Sequence, residues 1–429
     1  MLSLAPKMNQ KKPLKVVFLC SFGDTGGAAM ASLRLAKALR QQGVDVHFLV
    51  QHQNRPHENM EVVKGWKWRL ALEKLHFLLY EKDKAHRFAF SSATVGADLS
   101  RHPMIQSADI IHIHWINQGF LSLKGLKKLF ALGKPVVWTL HDIWAFSGGC
   151  HYAFDCKGYL NSCGNCPQIR KAHPKDISHQ QWKAKKDIYD ILAPHLVGVS
   201  QWIIDQAQES GLQQYLQFHQ IHNPIDTDLF QPAKHMQALR RQWNLPEDQA
   251  ILTFGAANLL DTRKGFQDLE KALQLLKKQK SVHPHLLLFG KCNDPQRLDQ
   301  LPFPFTYVGE IRQEKKIREL YQLSDAFITA ALNENLSYMI MEAMACGCPV
   351  ITYAAGGNPE AVIHQQNGYV AELGKPASLA EGIHWMFDND IDQLSKAARS
   401  HMLSHFSEKE VGKAYHSLYQ QVLARIMPR

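Results

Sequence analysis

Short apolar runs alternate with amphipathic stretches through most of the chain. The first run, Leu14–Cys20, precedes a stretch with apolar residues at helical spacing, which ends at Gly43 and is followed by a second run, Val44–Val50. Glycine commonly ends a helix, and apolar runs of this length are typical of buried strands. The pattern therefore predicts a β-α-β unit, the repeating element of parallel sheets that are covered by helices.

The same alternation continues in both halves of the chain. Further strands are predicted at 108–115, 135–142 and 195–200, and then at 250–256, 285–290, 305–310, 325–330 and 349–353. Between these two sets, Pro224 disfavours a helix through the junction. We expect an α/β protein with two doubly wound, Rossmann-like domains facing a cleft, at 1–222 and 223–407. A last helical segment, 408–429, is expected to pack back across the junction.

Length and apolar content agree with this division and limit the class of protein. A chain of 429 residues exceeds one ordinary domain and suggests two domains of about 200 residues each. Because no stretch of about 18 consecutive apolar residues occurs, no transmembrane helix is predicted. The N-terminal apolar run is too short for a secretory signal, which predicts a cytoplasmic protein.

The net charge of +10 limits the kinds of partner. A basic surface attracts acidic partners, such as nucleic acid, anionic lipid headgroups or phosphorylated substrates. The chain has neither zinc-finger spacing nor a basic motif interleaved with aromatic residues, so nucleic acid is not expected as a partner.

Two carboxylates flank the start of a predicted helix in the second half. The helix is expected to begin near Leu336, with Glu334 before it and Glu342 inside it. Their eight-residue spacing corresponds to roughly 10 Å along a helix axis. Between them, the backbone amides of Asn335, Leu336 and Ser337 form a natural anion site at a helix N-terminus.

This layout matches a nucleoside diphosphate sugar. Carboxylates accept hydrogen bonds from the hydroxyls of the sugar and the ribose, and amides suit the two phosphates between them. Alternatively, Glu334 would meet the helix dipole and Glu342 would lie on a solvated face. However, apolar neighbours such as Ile340 and Met344 would bury that face, where a carboxylate needs a partner.

The downstream motifs point to a known family. The segment from 333 to 370 contains E-x7-E (Glu334, Glu342), GG-x-x-E (Gly356, Gly357, Glu360) and a late N-G (Asn367, Gly368). It closely resembles the donor-site signature of glycosyltransferase family 4, a group of retaining transferases with the GT-B fold of two Rossmann-like domains. The resemblance covers most of the chain and implies that Glu334 contacts the donor hexose and Glu342 the ribose.

A basic turn follows the first strand of the second half. Lys264, with Gly265 after it, opens a predicted helix at the ligand edge of a doubly wound domain. There it would face the pyrophosphate and neutralise the charge of the departing nucleotide; alone, such a triplet is an ordinary surface turn. Family members typically carry an arginine five residues earlier, where this chain has Leu259. Arg263 or Asn258 is the candidate replacement.

The first half contributes a glycine-rich turn and two histidines. Gly26 and Gly27 allow close approach of the backbone to a ligand, but the turn is not a G-x-G-x-x-G fingerprint, so a dehydrogenase is not favoured. By the resemblance, this turn borders the cleft. His114 and His141 follow two successive strands; either they are satisfied core or rim residues or, as the resemblance implies, they line the acceptor side. Asp142 would fix the tautomer of His141 or bind acceptor hydroxyls.

Four of the eight cysteines crowd into one loop: Cys150, Cys156, Cys163 and Cys166. Their spacing resembles structural zinc loops, in which thiolates bind the metal tetrahedrally. The alternative is four unligated thiols that stabilise a lid by packing. Disulfides are not expected in a reducing compartment.

A basic stretch with tryptophans spans Lys64–Phe88. Trp68, Leu72, Leu75 and Leu79 recur at helical spacing. Such a helix would lie on an anionic membrane surface, or it would face the core like an ordinary helix.

These features predict a retaining glycosyltransferase. It would move a hexose from a nucleoside diphosphate sugar to a glycan or lipid-linked sugar in polysaccharide biosynthesis, at the inner face of the membrane. The predicted catalytic residues are His114, His141 and Glu334, and no cofactor is expected to be required. Two other classes stay open: a nucleotide-sugar epimerase, which needs no acceptor, and a non-catalytic glycan-binding protein.

Overall fold

Two parallel β-sheets, one in each half of the chain, form the framework of the protein. The computed structural model describes residues 12–83, 89–279 and 282–425. Strand order is β3-β2-β1-β4-β5-β6-β7 in the first sheet and β10-β9-β8-β11-β12-β13 in the second. All neighbouring strands in both sheets are parallel, which confirms the expected GT-B architecture.

The first sheet and its helices occupy the N-terminal half. Its strands are β1 (Lys15–Phe22), β2 (Asp45–His52), β3 (Met60–Val62), β4 (Ile110–Ile113), β5 (Val136–Leu140), β6 (His195–Gly198) and β7 (Gln217–Gln220). Its helices are α1 (Gly27–Gln41), α2 (Trp66–Phe77), α3 (Pro103–Ser107), α4 (Leu123–Phe130), α5 (Ile177–Tyr189) and α6 (Gln201–Glu209).

The second sheet follows the junction. Its strands are β8 (Ile251–Asn258), β9 (His285–Lys291), β10 (Phe305–Tyr307), β11 (Ala326–Thr329), β12 (Val350–Tyr353) and β13 (Gly368–Ala371). The helices of this half are α7 (Met236–Gln242), α8 (Phe266–Gln279), α9 (Glu314–Gln322), α10 (Tyr338–Ala345), α11 (Asn358–Ala361), α12 (Pro376–Asp388), α13 (Ile391–His405) and α14 (Glu408–Ala424).

The central strands are largely apolar because helices cover both faces of each sheet. In β1, Val17 and Leu19 belong to one core cluster, whereas Val16 and Phe18 belong to another. Successive side chains of a strand point to opposite faces, so the two clusters are the two sides of the same sheet.

The last helix, α14, packs against the first sheet although it follows the second in the chain. Tyr415 and Tyr419 lie in the same core cluster as Phe18. The hydroxyl of Tyr419 is 2.6 Å from Nδ1 of His112, and that of Tyr415 is 2.8 Å from Oγ1 of Thr139. The chain therefore crosses between its halves twice.

Three strands were missed by the sequence pattern, and one helix begins later than expected. Strands β3, β7 and β13 have three or four residues each and lie at sheet edges, where a long apolar run is not needed. Helix α10 begins at Tyr338, with Ser337 as its N-cap, rather than near Leu336.

Helix α2 does not fit the core-facing alternative. Trp68, Leu72 and Leu75 are 78%, 52% and 63% exposed, whereas the buried residues of the helix are Glu73 and Phe77. Its apolar stripe therefore faces solvent. Across the described ranges, no helix has the length and apolar content needed to cross a membrane.

Candidate active site

A cavity of about 670 Å³ lies between the two sheets. The first half contributes Phe22, Gly26, Gly27, Trp115, His141 and Asp142, and the second contributes Arg263, Lys264 and the stretch from Asn333 to Met339. These residues follow the carboxyl ends of β1, β4, β5, β8 and β11, where parallel α/β sheets bind ligands. The cavity thus brings together most of the predicted site residues.

Lys264 and Glu334 form an ion pair inside the cavity, Nζ to Oε1. Arg263 lies beside them, pairs with Asp261 at 2.7 Å, and places its guanidinium 5.9 Å from the ring centroid of Tyr152. The basic turn is therefore part of the cleft, not a remote surface turn. Of the two candidates for the missing family arginine, Arg263 lines the cavity, whereas the Asn258 side chain accepts from the amide of Leu260.

A close approach of two loops positions Glu334. Gly356 has φ +55°, and a Cβ there would overlap the carbonyl oxygen of Glu334. A Cβ on Gly357 would likewise overlap the carbonyl oxygen of Asn335 and the side chain of Ser200. The paired glycines let the loop after β12 support the loop before α10 from behind.

The amides that precede α10 are partly engaged. Asn335, Leu336 and Ser337 all line the cavity, as expected. However, the amide of Ser337 donates to Oδ1 of Asn358 at 3.3 Å. Tyr338 and Met339 also line the cavity, and the first amides of a helix have no intrahelical partner, so an anion here would rely on the amides on both sides of Ser337.

His141 lines the cavity, and His114 lies directly behind it. Nδ1 of His114 is 3.0 Å from Nε2 of His141, and the ring of His112 stacks on His114 with centroids 4.4 Å apart. Burial lowers the pKa of His141 to about 4 and that of His114 well below its usual value. Both imidazoles are therefore neutral at pH 7, and His141 is the one that a ligand reaches.

Asp142 pairs with a histidine that the sequence did not single out. Its Oδ2 lies 2.6 Å from Nδ1 of His151 and accepts from Nε1 of Trp115 at 2.9 Å. Although burial acts to raise it, the pKa of Asp142 is lowered by His151 and these hydrogen bonds. The expectation that Asp142 fixes the tautomer of His141 is thus wrong, because His141 contacts His114 instead.

Glu342 has a buried partner, but that partner belongs to the other half. Nη2 of Arg34, on α1, lies 2.7 Å from Oε1 of Glu342 and 2.9 Å from Oε1 of Glu314. The guanidinium also lies over the ring of Tyr338, 4.6 Å from its centroid. Glu342 does not line the cavity, so its contact with a ribose stays a prediction.

Two models of known protein families match the sequence of the chain. A model described as Glycosyltransferase Family 4 matches residues 25–229, and one described as Glycosyl transferases group 1 matches 235–401. The chain belongs to glycosyltransferase family 4. It is an enzyme that transfers glycosyl groups, as the sequence predicted.

Two curated relatives of this glycosyltransferase are distant but match it over nearly its whole length. WcaC of Escherichia coli K12, named as a colanic acid biosynthesis glycosyl transferase, is 23% identical over 92% of this chain and 97% of its own. A D-inositol 3-phosphate glycosyltransferase of Corynebacterium glutamicum is also 23% identical, over 94% of this chain and 93% of its own.

Solved structures agree in fold. Sucrose-phosphate synthase from Thermosynechococcus elongatus matches with a TM-score of 0.66 at 17% identity, covering 96% of this chain and all of the other. Anabaena HepE in complex with UDP matches with a TM-score of 0.64 at 18% identity, covering 95% of this chain and all of the other. At such identities, the likeness establishes the GT-B fold alone.

Asn335 links the two halves of this glycosyltransferase and was not given that role from sequence. Its Oδ1 accepts from Ser200 Oγ at 2.7 Å, and its Nδ2 donates to the carbonyl of Leu140, just before His141, at 3.0 Å. Glu360 acts similarly, because its carboxylate accepts from the amides of Gln201 and Trp202 at the start of α6. These partners lie more than 130 residues away, so no local pattern could reveal them.

The zinc site predicted at Cys150, Cys156, Cys163 and Cys166 is not supported. Within the ranges that the structure describes, no three or more His, Cys, Asp or Glu side chains are arranged to hold a metal ion. All four are free thiols, and burial raises the pKa of Cys163 to about 12 and of Cys166 to about 11. Cys166 packs in an apolar cluster with Phe77, Phe90 and Ile169. The packing alternative therefore fits the loop better.

Proposed function

We propose that this glycosyltransferase moves a hexose from a nucleoside diphosphate sugar to a glycan or lipid-linked sugar acceptor, with retention of anomeric configuration, in polysaccharide biosynthesis. The observation that carries the proposal is the Lys264–Glu334 pair with Arg263 beside it, at the carboxyl edge of the second sheet. One carboxylate for sugar hydroxyls and two cations for phosphates are the groups that such a donor needs.

The donor would lie along the second half of the cleft. Lys264 and Arg263 would form ion pairs with its diphosphate, and the amides of Asn335 and Leu336 would donate hydrogen bonds to it from the helix start. Glu334 would then exchange part of its contact with Lys264 for hydroxyls of the hexose. A ribose contact from Glu342 would require Arg34 to share or release that carboxylate.

In the transfer step, the bond from the anomeric carbon to the diphosphate oxygen breaks, and a bond to the acceptor oxygen forms on the same face. The acceptor proton passes to the departing phosphate oxygen. Lys264 and Arg263 would stabilise the negative charge that develops there, which is the largest contribution that a preorganised site makes. His141, neutral at pH 7, would hydrogen-bond reacting hydroxyls without adding charge.

Contact with an anionic membrane is part of the proposal. The apolar stripe Trp68, Leu72 and Leu75 on α2 faces solvent, and the exposed Lys64 and Lys67 lie nearby. An apolar face flanked by lysines suits the headgroup region of anionic lipids. The proposed acceptor, a lipid-linked sugar, would then meet the enzyme at the inner face of a cytoplasmic membrane.

A panel of UDP-, GDP- and ADP-hexoses tests the proposal. We expect at least one to raise the melting temperature and to be slowly hydrolysed without acceptor, releasing a sugar of the same anomeric configuration as the donor. A stereoisomeric nucleotide sugar formed without acceptor would instead identify an epimerase. Failure of every nucleotide sugar and of UDP, GDP and ADP to bind would favour a non-catalytic glycan-binding protein.

A further inference from the structure

A second cavity, of about 300 Å³, lies under helix α2. Its walls include Leu70 and Phe77 from the helix, Leu78 just after it, and Phe90, Ser91 and Gln118 from the segments below. The volume is at the lower end of the range for small-molecule sites. We call this cavity the α2 groove.

Three charged residues line the α2 groove: Glu73, Lys74 and Glu81. Glu73 is buried, and its carboxylate accepts from Ser92 Oγ at 2.6 Å, from the amide of Thr94 at 3.1 Å and from that of Val95 at 2.8 Å. These bonds hold the helix over the segment below it. Most of the wall surface is nonetheless apolar, so the groove suits a hydrocarbon more than an ion.

The α2 groove adjoins the active-site cavity. Gln118 lines both cavities. Ser91 lines the groove, and its Oγ lies 2.8 Å from Nε2 of His151, which lines the active-site cavity. A single layer of side chains separates the two spaces at this contact, so an extended molecule that occupies both would pass over Gln118, the residue that they share.

Helix α2 presents opposite faces to the groove and to solvent. Leu70 and Phe77, seven residues apart, face the groove, whereas Leu72 and Leu75 lie on the far side of a helix with 3.6 residues per turn. An apolar chain that leaves a lipid surface beside the outer face would need to pass only around this helix to reach the groove.

We infer that the α2 groove binds the hydrocarbon part of the glycosyl acceptor, so that the polar end of the same molecule reaches His141 in the neighbouring cavity. The inference rests on the proposed transferase function. It specifies the acceptor as a sugar carried on an apolar chain. Each methylene buried in the groove strengthens binding about fourfold.

Binding of alkyl glucosides tests this directly. Methyl, n-hexyl and n-octyl β-D-glucopyranoside, each below its critical micelle concentration, are titrated by calorimetry. Affinity is expected to rise at least tenfold from the methyl to the hexyl compound. The Leu70→Asp variant should abolish this chain-length dependence, and Leu75→Asp, on the opposite face of the same helix, should retain it. Equal affinity for all three glucosides, or equal loss in both variants, overturns the inference.

Two further measurements keep the outcome interpretable. Leu78→Trp, at a half-exposed wall position, fills the groove without placing charge in the core and should also abolish the chain-length dependence. For binding to vesicles that contain anionic lipid, the effects of the two variants should be reversed: Leu75→Asp should weaken binding more than Leu70→Asp. Nucleotide binding is measured in the same samples: its absence would contradict the transferase proposal, whereas chain-length dependence reports on the groove alone.

Discussion

The two sides of the active-site cavity are built in different ways. On the second half, seven consecutive residues, Asn333–Met339, reach the cavity together, and their motif is visible in the sequence. On the first half, the lining comes from separate segments around Gly26, Trp115, His141 and His151. The spacing of residues in the sequence can predict a wall made from one continuous loop. A wall assembled from the ends of several strands can be recognised only in the folded structure.

Removing Arg34, which links the two halves, is expected to have the largest effect, a loss of folding stability. Arg34→Leu leaves the buried carboxylate of Glu342 and the half-exposed one of Glu314 without their cation, and a buried pair that loses one partner costs about 3–5 kcal/mol. Chemical denaturation measures this cost as a decrease in the free energy of unfolding. The double variant Arg34→Leu/Glu342→Leu should recover part of the loss. If the two single losses simply add, Arg34 and Glu342 are not coupled.

The donor side is tested by Lys264→Ala. Loss of a preorganised charge at the leaving group should lower kcat about 100- to 1,000-fold, measured as donor hydrolysis or transfer. Lys271→Ala provides the matched control, because Lys271 is an exposed lysine on α8. An equal, small effect of both changes would remove Lys264 from the donor site.

The acceptor side is tested through pH. The folded-state pKa of His141 is about 4, below the 6.5 of an ordinary histidine, so its neutral form stabilises the fold above pH 6.5. This stability is lost as pH falls through 4, by at most about 3 kcal/mol. His141→Gln should flatten the decline in melting temperature between pH 6.5 and 4. The exposed His235→Gln should not, and an unchanged slope in His141→Gln contradicts the assignment.

The support behind the donor loop should give the smallest of these effects. Gly356→Ala places a Cβ against the carbonyl oxygen of Glu334, whereas Gly374→Ala meets open space. Both glycines have positive φ, so both variants carry a similar backbone strain of about 1–2 kcal/mol. Only Gly356→Ala should also weaken nucleotide binding, by about tenfold. Calorimetry that finds equal affinities would show that the two loops move independently.

The sequence predicted the GT-B fold and most of the second-half residues that line the cavity, for a physical reason. Strands covered on both faces must be continuously apolar, which makes runs such as Val16–Leu19 visible. Glu334 and Lys264 each follow such a strand, so topology brings them together. The sequence also indicated that a carboxylate at Glu342 would need a partner, but it could not name Arg34, which lies 308 residues away.

The errors have equally specific origins. Cysteine spacing in the loop from 150 to 166 resembles a zinc loop, but spacing does not fix the direction of each thiol, and the described structure holds no metal-binding arrangement. Asp142 was assigned to its chain neighbour His141, whereas a loop returns His151 to it. The α2 groove has no sequence signal, because it is a gap between a helix and the segments beneath it.

The return of α14 to the first sheet determines how this enzyme can be recombined with its relatives. A C-terminal half borrowed to change the donor sugar cannot simply be fused as a tail, since Tyr415 and Tyr419 complete the other half's core. It must be spliced in as an insert with two joints, one near Pro224 and one near Ser407. Such a graft must also keep partners for Arg34, Ser200 and the start of α6.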